Sequence, residues 1–313
     1  MLPDMDPTPG TADSDPVVLS AVGWETSEEA WACLLGTRQA RTGEAFPHDC
    51  RPLDFLQSRK SLKFMSRQDR LAVSAAGKAL ATAGLVAGNA GAGAGLFLCV
   101  GYIPFERDEA ESLCVLSQSG GRFSMDAFST EAYSSINPIR AFTCLPNMTA
   151  HHLAVNFGIQ GEYFLTYPGT PQLYLALGEA VQRLREGSVS LALVGGVADQ
   201  TNLLVAHHHR KTSPDGPRSL ADAAAFLVLE RESTARRERR TPLCRLDVWT
   251  EHLGDAPEAG ARGLNPGFGA AELPLGVAAF LAGGSPSYHH AWGREGGVGS
   301  TWHRVAPVAA GAA

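Results

Sequence analysis

Three uninterrupted apolar runs constrain this chain most: Gly95-Leu-Phe-Leu-Cys-Val-Gly101, Ser190-Leu-Ala-Leu-Val-Gly-Gly196 and Ala224-Ala-Phe-Leu-Val-Leu229. Each has the length of a strand and no polar side to offer water. Each therefore predicts a strand covered on both faces. The segments between them carry helical periodicity. From Ser66 to Ala83, Ala72, Ala75, Ala76, Ala79, Leu80 and Ala83 make one apolar stripe, and Gly84 ends it. Side chains that small imply very close packing against a sheet or another helix. A second helix runs to about Arg185, with Leu173, Leu177, Ala180, Val181 and Leu184 inward. Thr170 is expected as its N-cap, Pro171 as its first residue, and Gly187 as its close. Strands alternating with helices give an α/β class.

Weaker patterns fill in the rest. Strands are expected at 16–22, 163–167, 243–249 and 300–305. Thr26-Ser-Glu-Glu29 reads as a capping box opening a helix to about Leu35. Further helices are expected at 146–155 and 271–282. The stretch 42–60 reads as irregular and 106–136 as helix and loop.

Composition narrows the function. Of 313 residues, 26 are Lys or Arg and 32 Asp or Glu, a net charge of −6. That gives no general attraction to nucleic acid, and none is expected as a partner. No run of 18 apolar residues occurs, so neither a membrane span nor a membrane partner is expected. Residues 1–15 carry Asp and Pro where a signal peptide has a basic segment and an apolar run. They read as a disordered arm. The six cysteines include no CxxC pair, the usage of a reduced, cytoplasmic protein. The glycines at 88–95 precede a strand, the reverse of a dinucleotide fingerprint, and no cofactor is expected. His207, His208 and His209 are adjacent, which suits a solvated loop better than a metal site. No metal is expected. His289 and His290 read as a loop or strand edge. His151 and His152 fall on the 146–155 helix, one of them facing inward. The basic cluster 232–240 reads as a solvated helix end, with a docking patch for an acidic carrier protein as its functional alternative.

Several motifs, taken in order, resemble a β-ketoacyl synthase. Asn137-Pro-Ile-Arg-Ala-Phe-Thr-Cys-Leu-Pro-Asn-Met148 is similar to that family's NP…PNM stretch. Gly158-Ile-Gln-Gly161-Glu162 is similar to its G-x-x-GP turn, with Glu for the usual Pro. Phe64-Met-Ser-Arg-Gln-Asp-Arg70 with its Ala-rich helix, Gly187–Gly196, and Asp222-Ala-Ala-Ala-Phe-Leu-Val-Leu-Glu230 also have counterparts. The resemblance covers about residues 16–250. It implies a thiolase-like, layered α-β-α-β-α fold with a truncated second lobe. The expected organisation is an arm at 1–15, a ketosynthase-like domain at 16–242 and an abridged C-terminal lobe at 243–313.

The departures from the family concern chemistry. A ketosynthase places a Cys nucleophile at the start of the helix after the G-x-GP turn, where helix dipole and backbone donors favour thiolate and oxyanion. Here that position is Thr170, with Gln172 two residues on. An alcohol needs a positioned base to attack. The family's HGTGT loop is missing, and Phe268 stands near its second histidine. Gly296–Ser300 loosely resembles the family's terminal glycine loop. The pattern resembles a chain length factor, the partner subunit of type II polyketide systems. The resemblance implies a catalytically inactive subunit in a heterodimer with an active β-ketoacyl synthase, serving polyketide or polyene synthesis and meeting acyl carrier protein indirectly. It puts Phe123, Met125, Phe128 and Tyr133 toward the tunnel and dimer interface, and Tyr163, Phe164 and Tyr167 on the dimer-pairing strand. Alternatives are an active acyltransferase or decarboxylase with a relocated nucleophile, for which Cys144 is the available thiol, and a homodimeric scaffold that binds no substrate.

Overall fold

The structure, a computed structural model, describes residues 15–85, 88–104, 107–212, 218–250, 264–292 and 298–305. The expected arm at 1–15 lies outside the described residues except for Asp15, as do Gly296 and Gly297 of the glycine loop. The strands are β1 (Val17–Thr26), β2 (Ala94–Val100), β3 (Tyr163–Thr166), β4 (Leu191–Ala198), β5 (Ala223–Arg231), β6 (Cys244–Thr250), β7 (Ser287–Trp292) and β8 (Val298–Arg304). They form one mixed sheet in the order β7-β8-β6-β1-β5-β4-β2-β3. The run β3-β2-β4 is parallel, and every other neighbouring pair is antiparallel. The three apolar runs became β2, β4 and β5, whose residues are buried apart from Arg231.

The helices are α1 (Glu28–Leu34), α2 (Arg67–Thr82), α3 (Arg107–Leu116), α4 (Met148–Phe157), α5 (Thr170–Glu186), α6 (Leu203–Thr212), α7 (Glu232–Arg237) and α8 (Glu272–Ala282). Successive strand residues point to opposite faces, so the sheet divides its side chains between two cores. Leu96, Leu98, Leu193 and Val228 pack with α2 and α4. Phe97, Cys99, Ala192 and Leu229 pack with α5, α8 and Trp302. The register of β1 on β5 shifts between Leu19 and Ala21. That bulge lets Leu19 and Ala21 face different cores.

The alanine stripe of α2 does what its small side chains imply. Gly23 of β1 lies so close that a Cβ there would overlap Ala79 N and Ala75 O. Its N-terminus is a true capping box, with Ser66 Oγ accepting from Asp69 N and Asp69 Oδ2 accepting from Ser66 N at 2.8 Å. The C-terminal lobe adds β6, β7, β8 and α8 to the same sandwich, extending the sheet past β1.

Local expectations needed three corrections. The cap of α1 is Ser27, whose Oγ accepts from Ala30 N at 3.2 Å, because β1 runs on through Thr26. The cap of α5 is Gly169, at φ +112°, a backbone shape open to glycine; Thr170 is the first helical residue. His207–His209 lie on α6, not in a loop. His289 and His290 lie on β7, the other end strand of the sheet, which agrees with the strand-edge reading.

Candidate functional site at the head of α5

Strands β2, β3 and β4 all end on the same side of the sheet, where open parallel sheets carry their ligands. The turn 167–169 leads from β3 into α5 there. Its anchors come from two sides. Cys99 Sγ donates to Gly169 O at 3.2 Å, and the Gln172 amide nitrogen donates to Pro168 O at 2.8 Å. Thr166 Oγ1 donates to Gln172 O at 3.0 Å. Cys99 is fully buried. Burial pushes its thiol up to about 11, more than the Thr166 hydroxyl and the Gly169 backbone draw it down. A protonated, enclosed thiol is a poor nucleophile. The residue that starts the helix is Thr170.

A turn from the C-terminal lobe closes over the same end. Residues 269–271 lie against β4, where a Cβ on Gly196 would overlap Ala270 O. Phe268, near the family's histidine, is completely buried with Ala30, Cys33, Phe46 and Ala225. Its ring has no hydrogen-bonding atom to offer a reacting carbonyl. Tyr102 follows β2, and its ring meets Tyr167 edge-on at 6.2 Å and His208 of α6 at 5.5 Å.

The expected tunnel and interface residues fall into two groups. Phe123, Phe128 and Tyr133 form an aromatic row with centroids 6.3 and 6.4 Å apart. Phe123, Met125 and Tyr133 are exposed, and Phe128 is half-buried between its neighbours. Tyr163 and Phe164 lie on β3, the end strand of the sheet. Tyr163 is 72% exposed, whereas Phe164 packs on the core. Tyr167 is exposed, and its hydroxyl accepts from Ile103 N at 3.4 Å. Cys144 is half-buried in the turn before α4. Three of the four arginines of 232–240 are engaged by carboxylates: Arg236 with Glu232, Arg237 with Glu238, and Arg240 with Glu230. That pairing favours the solvated helix end over a free docking patch. Among the described residues, no group of three or more His, Cys, Asp or Glu is arranged to hold a metal.

Two polar clusters supporting this end were not read from sequence. Arg67 Nη1 bonds Asp222 Oδ2 at 2.9 Å and lies 3.6 Å from Asp199 Oδ1. Asp222 is fully buried and also accepts from Thr201 N and Oγ1 and from His48 N. The residues belong to two of the quoted motifs, and their separate matches were the available signal for pairing. Elsewhere, Tyr174 of α5 donates to the His290 carbonyl at 2.8 Å, and its oxygen lies 2.6 Å from His290 Nδ1.

Residues 24–235, more than half of the chain, match the family model described as the N-terminal domain of β-ketoacyl synthase. The chain belongs to the β-ketoacyl synthase family. A curated relative, the spectinabilin polyketide synthase system protein NorC of Streptomyces orinoci, is 36% identical over 107 residues. That match covers 30% of this chain and 5% of NorC, so the chain spans a small part of that protein's length. Two solved structures share the fold. One is a type II polyketide synthase acyl-carrier protein in complex with its ketosynthase (TM-score 0.69, 13% identity, 93% of this chain and 99% of that one). The other is the ishigamide ketosynthase/chain length factor (TM-score 0.66, 16% identity, 93% and 100%). Among the described residues no helix is long and apolar enough to cross a membrane.

Proposed function

We propose that this chain is a ketosynthase-family subunit without condensing activity of its own. It pairs with a catalytically complete ketosynthase in a cytoplasmic polyketide or polyene pathway and shapes the partner's acyl tunnel, as a chain length factor does. Residues 16–242 supply the ketosynthase-like part and 243–313 an abridged lobe. Acyl carrier protein reaches the pair through the active partner. The observation that carries the reading is the head of α5. The helix begins at Thr170, and the thiol beneath it, Cys99, is enclosed and held protonated. The Phe268 ring, sealed in an apolar cluster, removes a second element of the family's chemistry. Pairing is supported by β3, an edge strand whose Tyr163 stands in solvent.

The test is co-expression with a ketosynthase that retains its Cys and both His. A 1:1 complex is expected, with all condensation lost when the partner's Cys is replaced and retained in Thr170→Ala. A close-packed tunnel wall does not admit a methylene without strain. Phe128→Ala or Tyr133→Ala should therefore lengthen the carrier-bound chains read by mass spectrometry. Condensation by this chain alone, abolished by Thr170→Ala, would overturn the proposal. Unchanged lengths from both tunnel variants in active complexes would reduce the role to a scaffold.

A further inference from the structure

An irregular helix sets the aromatic row of Phe123, Phe128 and Tyr133. Residues 125–135 are helical, but Phe128–Ala132 form a π turn, in which the Tyr133 N–H donates to the Phe128 carbonyl five residues back. Such turns are rare within helices and concentrate at functional sites. At 3.6 residues per turn, positions five apart in a regular α-helix face about 140° away from each other. The wider turn brings them back to one side, and the rings of Phe128 and Tyr133 lie 6.4 Å apart. The ring of Phe123 continues the row, 6.3 Å from Phe128.

Hydroxyls hold this turn in its wider form. Ser129 Oγ and Thr130 Oγ1 both donate to the Asp126 carbonyl, at 3.0 and 2.7 Å. Ser134 Oγ donates to the carbonyls of Thr130 and Glu131 at 3.0 and 2.9 Å, and Ser135 Oγ to that of Ala132 at 2.7 Å. Hydroxyls that bond carbonyls three or four residues back compete with the regular ladder and bend it. Ala132 is fully buried and fastens the turn to the body of the protein, whereas Ser129, Thr130 and Glu131 are exposed.

We propose that Ser129 and Thr130 are positioning residues for acyl-chain length. By engaging the Asp126 carbonyl they keep the π turn, and the π turn keeps Tyr133 beside Phe128. This role rests on the reading of the row as the tunnel wall, and it adds what sets the register of that wall. Without the turn, Tyr133 swings to the far side of the helix and leaves a gap beside Phe128. Removing one residue from the relaxed turn puts the two rings four positions apart, again on one face of a regular helix.

The test compares Tyr133→Ala, the double variant Ser129→Ala/Thr130→Ala, and that double variant with Glu131 deleted, each shown folded by circular dichroism. Mass spectrometry reads the carrier-bound chains made by each in complex with the catalytically complete ketosynthase. A ring-to-ring nuclear Overhauser effect between Phe128 and Tyr133 in the full chain reads the register independently of the tunnel. The double variant is expected to lose the ring contact and to lengthen the chains as Tyr133→Ala does. Deleting Glu131 from it should restore both. A ring contact that survives in the double variant would overturn the proposal. So would lost contact with unchanged lengths while Tyr133→Ala lengthens them, or a deletion that restores neither; both leave the tunnel reading standing. Unchanged lengths in Tyr133→Ala itself would overturn the tunnel reading, and the length role with it.

Discussion

The five strands β1–β5 and the three that follow them belong to one sheet, but they are held differently. Around β1–β5 the polar interior is ionic. Arg67 meets Asp222, Arg240 meets Glu230 through two bonds of 2.8 and 2.7 Å, and Lys78 and His48 meet Glu25. Around β6–β8 the buried contacts are mostly aromatic and hydrogen-bonded, and the Arg245–Glu232 ion pair keeps its arginine half exposed. Trp302 is fully buried with its Nε1 on Ser300 Oγ, Tyr288 stacks on Phe280, and Tyr174 reaches His290. Buried ion pairs tolerate the loss of one partner badly, because the other charge stays in low dielectric. Neutral hydrogen bonds cost less to break. The two regions should therefore differ in how single substitutions and acid affect them.

The largest effect should come from Arg67→Ala. Asp222 is fully buried, so the variant strands a carboxylate between α2, β5 and the 199–201 turn. Loss of about 3–5 kcal/mol is expected from denaturant unfolding. A loss under 1 kcal/mol would place the strength of this region elsewhere and break the contrast.

Acid gives the next effect. Burial raises the pKa of Glu25, but hydrogen bonds from His48, Lys78 and Ser74 outweigh it and bring the carboxyl down from 4.5 to about 2. A folded-state pKa below the unfolded value means stability that is full above about pH 4.5 and is lost as pH falls toward 2. At 1.36 kcal/mol per unit the contribution is at most about 3 kcal/mol. Unfolding free energies of the unsubstituted chain and Glu25→Gln should differ most above pH 5 and converge by pH 2. A difference independent of pH would show that packing, not charge, is what the substitution removes.

The contrast also explains what the sequence could disclose. β2, β4 and β5 were legible because strands buried on both faces need unbroken apolar runs, and α2 because its alanine stripe repeats at helical spacing. The caps at Ser27 and Gly169 turned on backbone angles, and a hydroxyl in the neighbourhood does not determine those. β7 was legible only as a loop or strand edge at His289 and His290, because Ser287-Tyr-His-His has too little apolar alternation; its ladder to β8 supplies the order. The head of α5 was legible as a position, through spacing from Gly161. The enclosed state of Cys99 was not, since Gly169 lies 70 residues away from it. One of His151 and His152 was expected to face inward, and which one turned on the packing of α4: His152 is the buried member.

The smallest effect, and the sharpest for the comparison, concerns Tyr174, which joins the two regions. It sits on α5 among core residues, and its hydroxyl satisfies the carbonyl of His290 while lying against the ring nitrogen. Burial raises the pKa of the phenol, so its proton stays in place. With the hydroxyl given to the carbonyl, which can only accept, the ring nitrogen must supply its own proton to the Tyr174 oxygen. Tyr174→Phe removes both bonds and little volume, at a cost of about 1–3 kcal/mol. If the C-terminal strands are an appended unit fastened by such contacts, the loss should be local. Hydrogen exchange should quicken in β7 and β8 and stay slow in β2 and β4. A double-mutant cycle with His290→Leu should give a coupling of about 1 kcal/mol between the two sites. Equal quickening in β2 and β4, with no coupling, would mean that the sheet opens as one unit and that the two regions differ in chemistry but not in cooperativity.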